Sequence, residues 1–259
     1  MNYEQASPTE LVDALCEQER HPDVALIRAL LERGDEIISD LIEVVECDTG
    51  WPQIHAALLL CELRAEEALP ALQQATKGHD LADWLANDAL EKFGPAGLDT
   101  LEAVAADRTV EWYARAVACR VMRTIALRHP GAYDRVTAFL RGLLPSPSLD
   151  WRAYESYEAL KEAVDDPQVW TSVVLYLCEL RDSAAFELIG QLFQAGLIDE
   201  MAIDPAGYEE AYRLSGPPAG FKKQPISLVE RYERSQPRRA PEAQGTRRRT
   251  RKKRGRKHR

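Results

Sequence analysis

The strongest constraint on how this chain folds is a segment that occurs twice. Residues 58–64 read Leu-Leu-Leu-Cys-Glu-Leu-Arg and residues 175–181 read Leu-Tyr-Leu-Cys-Glu-Leu-Arg, in agreement at six of seven positions 117 residues apart. The likeness continues past a short break. Ala68, Leu69, Leu72 and Ala75 fall at the same offset as Ala185, Phe186, Ile189 and Leu192. Apolar residues three and four apart mark helices with one buried face. A helix, a turn and a second helix therefore recur in one register, which is the signature of a duplicated helix pair.

The same period runs through most of the chain up to about residue 196. Ile54, Ala57, Leu58 and Cys61 form one stripe, Val110, Tyr113, Val117, Val121 and Ile125 a second, and Val169, Val173, Tyr176, Leu177 and Leu180 a third. Ser7 before Pro8 reads as a helix start, while Gly34, Gly78, Gly94 and Gly196 stand where helices should stop. The spacing predicts helices over about 8–18, 22–32, 35–47, 53–64, 66–77, 82–93, 96–106, 110–128, 131–143, 151–164, 167–181 and 183–195. Trp84, Trp112 and Trp151 each fall near the start of one of them, the first two 28 residues apart. Helix pairs repeating at that interval predict an all-α fold, a right-handed α-solenoid of stacked antiparallel helix pairs. The 39-residue step from Trp112 to Trp151, with Pro145-Ser-Pro-Ser-Leu inside it, predicts one irregular repeat carrying an exposed loop.

Leu63-Arg-Ala-Glu-Glu-Ala-Leu-Pro-Ala-Leu-Gln-Gln-Ala, followed by Trp84-Leu-Ala-Asn-Asp-Ala-Leu-Glu-Lys-Phe-Gly, resembles the short HEAT-like repeat of the phycobilisome-lyase type over residues 50–128. The wider plan, closing on Leu188-Ile-Gly-Gln-Leu-Phe-Gln-Ala-Gly-Leu-Ile-Asp-Glu, is similar to an uncharacterised bacterial HEAT-like family of domain-of-unknown-function proteins over residues 8–212. That resemblance implies a helical array and no particular activity. Members often end in a cysteine-rich zinc motif of the SEC-C type. No cysteine follows Cys178 here, so no zinc role is carried over.

Charge divides the chain. Of 33 Lys/Arg and 42 Asp/Glu, residues 235–259 hold 12 bases and one acid (Glu242), a net +11, which leaves 21 bases and 41 acids, a net −20, on residues 1–234. The reading is therefore a helical repeat domain over 1–215, a linker with a short helix or docking segment between Pro225 and Tyr232 over 216–236, and a disordered Arg/Lys-rich tail over 237–259. Within that tail Arg247, Arg248, Arg249, Arg251, Lys252, Lys253, Arg254, Arg256, Lys257 and Arg259 are the expected contacts to nucleic acid. A dense cationic run neutralises phosphates and releases their counterions. It holds no aromatic residue to stack bases, so its grip on RNA or DNA should ignore sequence.

Catalytic chemistry has little to work with. His55 lies beside an apolar stripe and reads as a satisfied, partly buried histidine rather than a general base; His21 and His129 precede prolines at helix boundaries, and His79-Asp80 reads as a turn. Cys16, Cys47, Cys61, Cys119 and Cys178 form no C-x-x-C pair and no disulfide framework, and most of them read as small buried hydrophobes. No metal-ligand spacing, phosphate loop or nucleophile elbow is present, so neither cofactor nor catalytic residue is expected. Glu43, Glu46 and Asp48, and Glu155, Glu158, Glu162 and Asp165-Asp166, read as a solvated outer surface, with an acidic concave groove as the sharper alternative. No apolar run is long enough to cross a bilayer and residues 1–5 lack a signal pattern, so a cytoplasmic location is expected.

These readings converge on a non-enzymatic scaffold that holds a protein partner on its helical surface and touches nucleic acid through its tail. The alternatives are a HEAT-like enzyme of the DNA-glycosylase sort, a lyase-like or chaperone-like factor, and a tail that masks its own acidic body.

Overall fold

Ser7 does at the first helix what its position foretells. Its hydroxyl accepts from the Glu10 N–H at 3.3 Å while the Glu10 carboxylate accepts from the Ser7 N–H at 2.8 Å, a reciprocal capping box. A computed structural model describes residues 2–77, 89–214 and 226–236, and every regular element among them is helical. In chain order these are α1 (Pro8–Cys16), α2 (Val24–Arg33), α3 (Ile38–Cys47), α4 (Trp51–Leu63), α5 (Leu69–Thr76), α6 (Leu98–Ala106), α7 (Trp112–Arg128), α8 (Tyr133–Gly142), α9 (Tyr157–Ala163), α10 (Pro167–Leu180), α11 (Phe186–Ala195), α12 (Pro205–Arg213) and α13 (Leu228–Ser235).

The sequence repeat is a repeat of local structure down to its cap. α4 and α10 end at Leu63 and Leu180, and Arg64 and Arg181 follow in the left-handed conformation, with φ/ψ of 56°/40° and 55°/44°. Among the described residues they are the non-glycine positions at positive φ. Ala65 N–H then returns to the Leu60 carbonyl at 3.1 Å and Asp182 N–H to the Leu177 carbonyl at 3.2 Å, which closes both helices in the same way. α5 and α11 start at Leu69 and Phe186, again 117 residues apart. Left-handed backbone is strained for a side chain bearing Cβ, so Arg64→Gly should raise stability by about 0.5–1 kcal/mol in urea unfolding. Arg181→Gly should gain less, because the Arg181 Nε bond to the Ala211 carbonyl (3.2 Å) is lost with the side chain.

Three long helices carry much of the core. α4 is buried without interruption from Ile54 to Cys61 and α7 from Ala114 to Cys119, as expected of helices enclosed on all sides. α10 buries Val169, Trp170, Val173, Val174, Leu177 and Leu180. α3 packs on α4, α5 on α3 and α6, α6 on α7, α7 on α8 and α10, and α10 on α8 and α12. These contacts join helices one to three apart in sequence. α13 is the exception, because it packs on α2 and α4.

Several expected boundaries shift for local reasons. The helix expected over 151–164 is split into a 3-10 turn, Trp151–Ala153, and the short α9, because Ser156 is extended and its hydroxyl caps the Ala159 N–H at 3.1 Å. Residues 34–37, expected to be α-helical in part, form a 3-10 turn ahead of α3. The helix expected over 82–93 lies partly at 78–88, outside the described residues, as do Gly78, His79-Asp80 and Trp84; Leu90–Gly97 is a 3-10 segment broken at Gly94. The loop expected around Pro145-Ser-Pro-Ser-Leu follows α8, with Ser146 and Ser148 exposed and Pro145 buried. α12 has no counterpart among the expected helices.

Gly94 shows what its break requires. At φ 57° and ψ −141° it occupies backbone open to glycine, and an added Cβ would stand 3.1 Å from His129 Nε2. Gly94→Ala should therefore cost about 1–3 kcal/mol, read as a lower urea midpoint with unchanged cooperativity.

Candidate anchoring site of the C-terminal helix

α13 carries the chain back across the N-terminal helices. Ser227 starts it by accepting from the Glu230 N–H at 3.2 Å, and Leu228 and Tyr232, one turn apart on one face, are each 2% exposed. The Glu62 carboxylate of α4 accepts from the Leu228 N–H at 3.1 Å and pairs with Lys92. A carboxylate at a helix start suits both the unpaired N–H groups and the positive end of the helix dipole. At the other end Gln236 Nε2 donates to the Pro22 carbonyl at 2.9 Å, and Glu233 pairs with Arg28 at 2.5 Å. The Arg28–Glu233 pair is about half exposed and adds little.

His55 sits beneath this helix at 1% exposure. Its Nε2 lies 2.8 Å from the Glu19 carbonyl in the α1–α2 turn, and its Nδ1 lies 2.6 Å from the Tyr232 hydroxyl. A carbonyl only accepts, so Nε2 carries the proton and Nδ1 accepts from Tyr232. Trp51 stacks on the ring at 5.9 Å between centroids and Tyr232 meets it edge-on at 5.5 Å. Burial pushes the His55 pKa below its ordinary value, against the Glu19 hydrogen bond, and burial likewise raises the Tyr232 hydroxyl. The expected satisfied histidine is found, enclosed rather than partly buried, and it joins three segments.

Among the described residues, surface clefts lie elsewhere, and two of them carry notable side chains. One, of about 320 Å³ between α1 and α3, is lined by Asp13, Cys16, Asp40, Glu43, Cys47 and Asp48. Cys16 donates to Asp48 at 3.9 Å, and burial, then Asp48, raises its thiol pKa. The other, of about 380 Å³, is walled by Trp112 and Tyr157 with Thr171, Leu175 and Asp199. Tyr157 is held there by its hydrogen bond to Asp166 at 2.6 Å. Cys61, Cys119 and Cys178 are buried thiols, each pushed up to about 12 by that burial. All five cysteines are free, and no group of three metal-ligating side chains occurs among the described residues.

The acidic residues read as solvated surface divide in two. Glu43, Glu46, Asp48, Glu155, Glu158 and Glu162 are exposed as expected. Asp166 is 2% exposed, and Asp165 forms a bidentate pair with Arg115, itself 2% exposed, at 2.5 and 2.8 Å. The expected surface role fails for these two because one caps α10 and the other neutralises a buried guanidinium. Asp-Asp-Pro before an apolar helix carried the capping signal, whereas nothing adjacent in sequence announced Arg115 as a partner 50 residues away.

Arg247, Arg248, Arg249, Arg251, Lys252, Lys253, Arg254, Arg256, Lys257 and Arg259 lie outside the described residues. What is visible is the root of their segment, Gln236, fixed at the α1–α2 turn. No helix among the described residues is long and apolar enough to cross a membrane. No protein-family model, curated protein or solved structure matches the chain.

Proposed function

We propose that this chain is a non-enzymatic, cytoplasmic interaction scaffold: a HEAT-like right-handed α-solenoid of antiparallel helix pairs that holds a protein partner, with a basic tail that contacts RNA or DNA without regard to sequence. The duplicated cap geometry at Arg64 and Arg181 and the stepwise packing of neighbouring helices support a stacked array. The observation that carries the functional reading is the anchoring of α13. A cationic segment that follows a docked helix starts from a defined point on the body, so phosphate binding by the tail holds the body, and whatever it carries, beside the nucleic acid.

The test titrates RNA and duplex DNA with the full chain and with a chain ending at Gln236, across a range of salt. Affinity that survives removal of residues 237–259 would place binding on the body and overturn this reading.

A second reading, tail masking, draws on one observation. Gln236 is bonded at the turn directly after α1, and α1 supplies Asp13 and Cys16 to the acidic cleft. Under masking, the free peptide 237–259 binds nucleic acid more tightly than the full chain does. Equal affinity removes that reading.

A further inference from the structure

His55 is placed where its charge state decides whether α13 can stay docked. We propose that α13 is a proton-releasable latch, held on α2 and α4 while His55 is neutral and let go when His55 takes up a proton.

The geometry suits the neutral ring. Nε2–H donates to the Glu19 carbonyl and Nδ1 accepts from the Tyr232 hydroxyl, so both nitrogens are satisfied in the neutral tautomer. A proton added to Nδ1 turns an acceptor into a donor. The Tyr232 O–H then loses its acceptor inside a site where Tyr232 is 2% exposed and His55 1%. The resulting cation is also cut off from water, and an unpaired buried charge is costly.

The charged neighbours do not offset it. On α4, Glu62 is taken by Lys92 and by the Leu228 N–H; on α13, Glu233 is taken by Arg28 of α2. Arg231 of α13 acts on Tyr232 as a positive charge. In the α1–α2 turn the ring meets the Glu19 carbonyl, while the Glu19, Arg20 and His21 side chains are exposed and Asp23 caps α2 through the Ala25 N–H. The ring therefore has no carboxylate bonded to it.

Release is local because α13 is held by few groups. Leu228 and Tyr232 are its buried side chains, and eight residues of helix do not persist alone in water. Undocking therefore unravels it and frees Gln236 from Pro22, while the packing of α6, α7, α8 and α10 is untouched. The direction follows from linkage. His55 in undocked chains binds a proton in the ordinary imidazole range, and docked chains bind it only at lower pH. Docking is thus intact above that range and weakens as pH falls from it toward the docked value.

Amide exchange of residues 228–235 in the full chain, corrected for intrinsic rates, reads the latch. Protection should fall about tenfold for each unit by which pH drops below about 6.5 until the docked value is reached, with α6–α8 unchanged. His55→Gln should flatten that response and His21→Gln should leave it. Tyr232→Phe should lower protection at every pH yet keep the slope, and this variant carries the test if His55→Gln does not fold. Protection of α13 that is independent of pH, that falls in step with the whole body, or that responds to His21→Gln instead overturns the proposal.

Discussion

A chain ending at Gln236 is expected to bind RNA and duplex DNA about 10³-fold more weakly than the full chain at low salt, and with a nearly flat salt dependence. The removed segment holds all 12 of the bases found in residues 235–259. If about six to ten of them meet phosphates, log affinity should fall with log salt at a slope of about −0.9 per contact on duplex and about −0.7 on single strands. The remaining body, with a net −20 over residues 1–234, repels a polyanion and offers no substitute. α13 and its contacts are kept in the shortened chain, so an unchanged helical spectrum separates loss of binding from loss of fold. Homopolymers of different base should bind the full chain alike, because residues 237–259 contain no Phe, Tyr or Trp ring to stack on them. A steep salt slope in the shortened chain, or a strong preference for one base, would be incompatible with the proposed tail.

The elements legible in the sequence were those whose signal is local. α4 and α10 were marked by their stripes and the repeated Leu-x-Leu-Cys-Glu-Leu-Arg, and the structure carries that identity to a shared left-handed cap. α9 came out shorter than its apolar period suggested, because Ser156 competes for the backbone of its own segment. α12 begins at a readable signal, Asp204 accepting from the Gly207 N–H ahead of Pro205, but Tyr208, Ala211 and Tyr212 give it only a weak stripe. α13 was legible as a short helix or docking segment, but where it docks was not. Its partners His55, Glu62 and Arg28 lie 177, 166 and 205 residues away, and periodicity is silent about contacts at such range. The same holds for Arg115, a cation among alanines whose carboxylate partner lies on another helix boundary.

That buried pair supplies the largest expected effect on stability. Arg115 extends from α7, donates through Nε to the Ala105 carbonyl at the end of α6 (2.8 Å) and grips both oxygens of Asp165 in the α9–α10 turn. It thereby ties α6 and α7 to the start of α10. Burial alone would raise the Asp165 carboxyl, but the hydrogen bonds from Arg115 and from the Asp166 N–H outweigh it and hold it below the ordinary carboxylate value. The pair's contribution is therefore complete above about pH 4 and is lost as pH falls through the lowered value. Arg115→Met leaves a mostly buried carboxylate without its cation and should cost about 3–5 kcal/mol in urea unfolding at neutral pH. In that variant the desolvated carboxyl prefers its proton, so the deficit relative to the parent should shrink as the solution is acidified. Adding Asp165→Asn should restore most of the loss, since removing both charges costs far less than removing one. If the double variant is as unstable as Arg115→Met alone, the penalty comes from the Ala105 carbonyl and lost packing, and the ion pair is not what joins α7 to the α9–α10 turn.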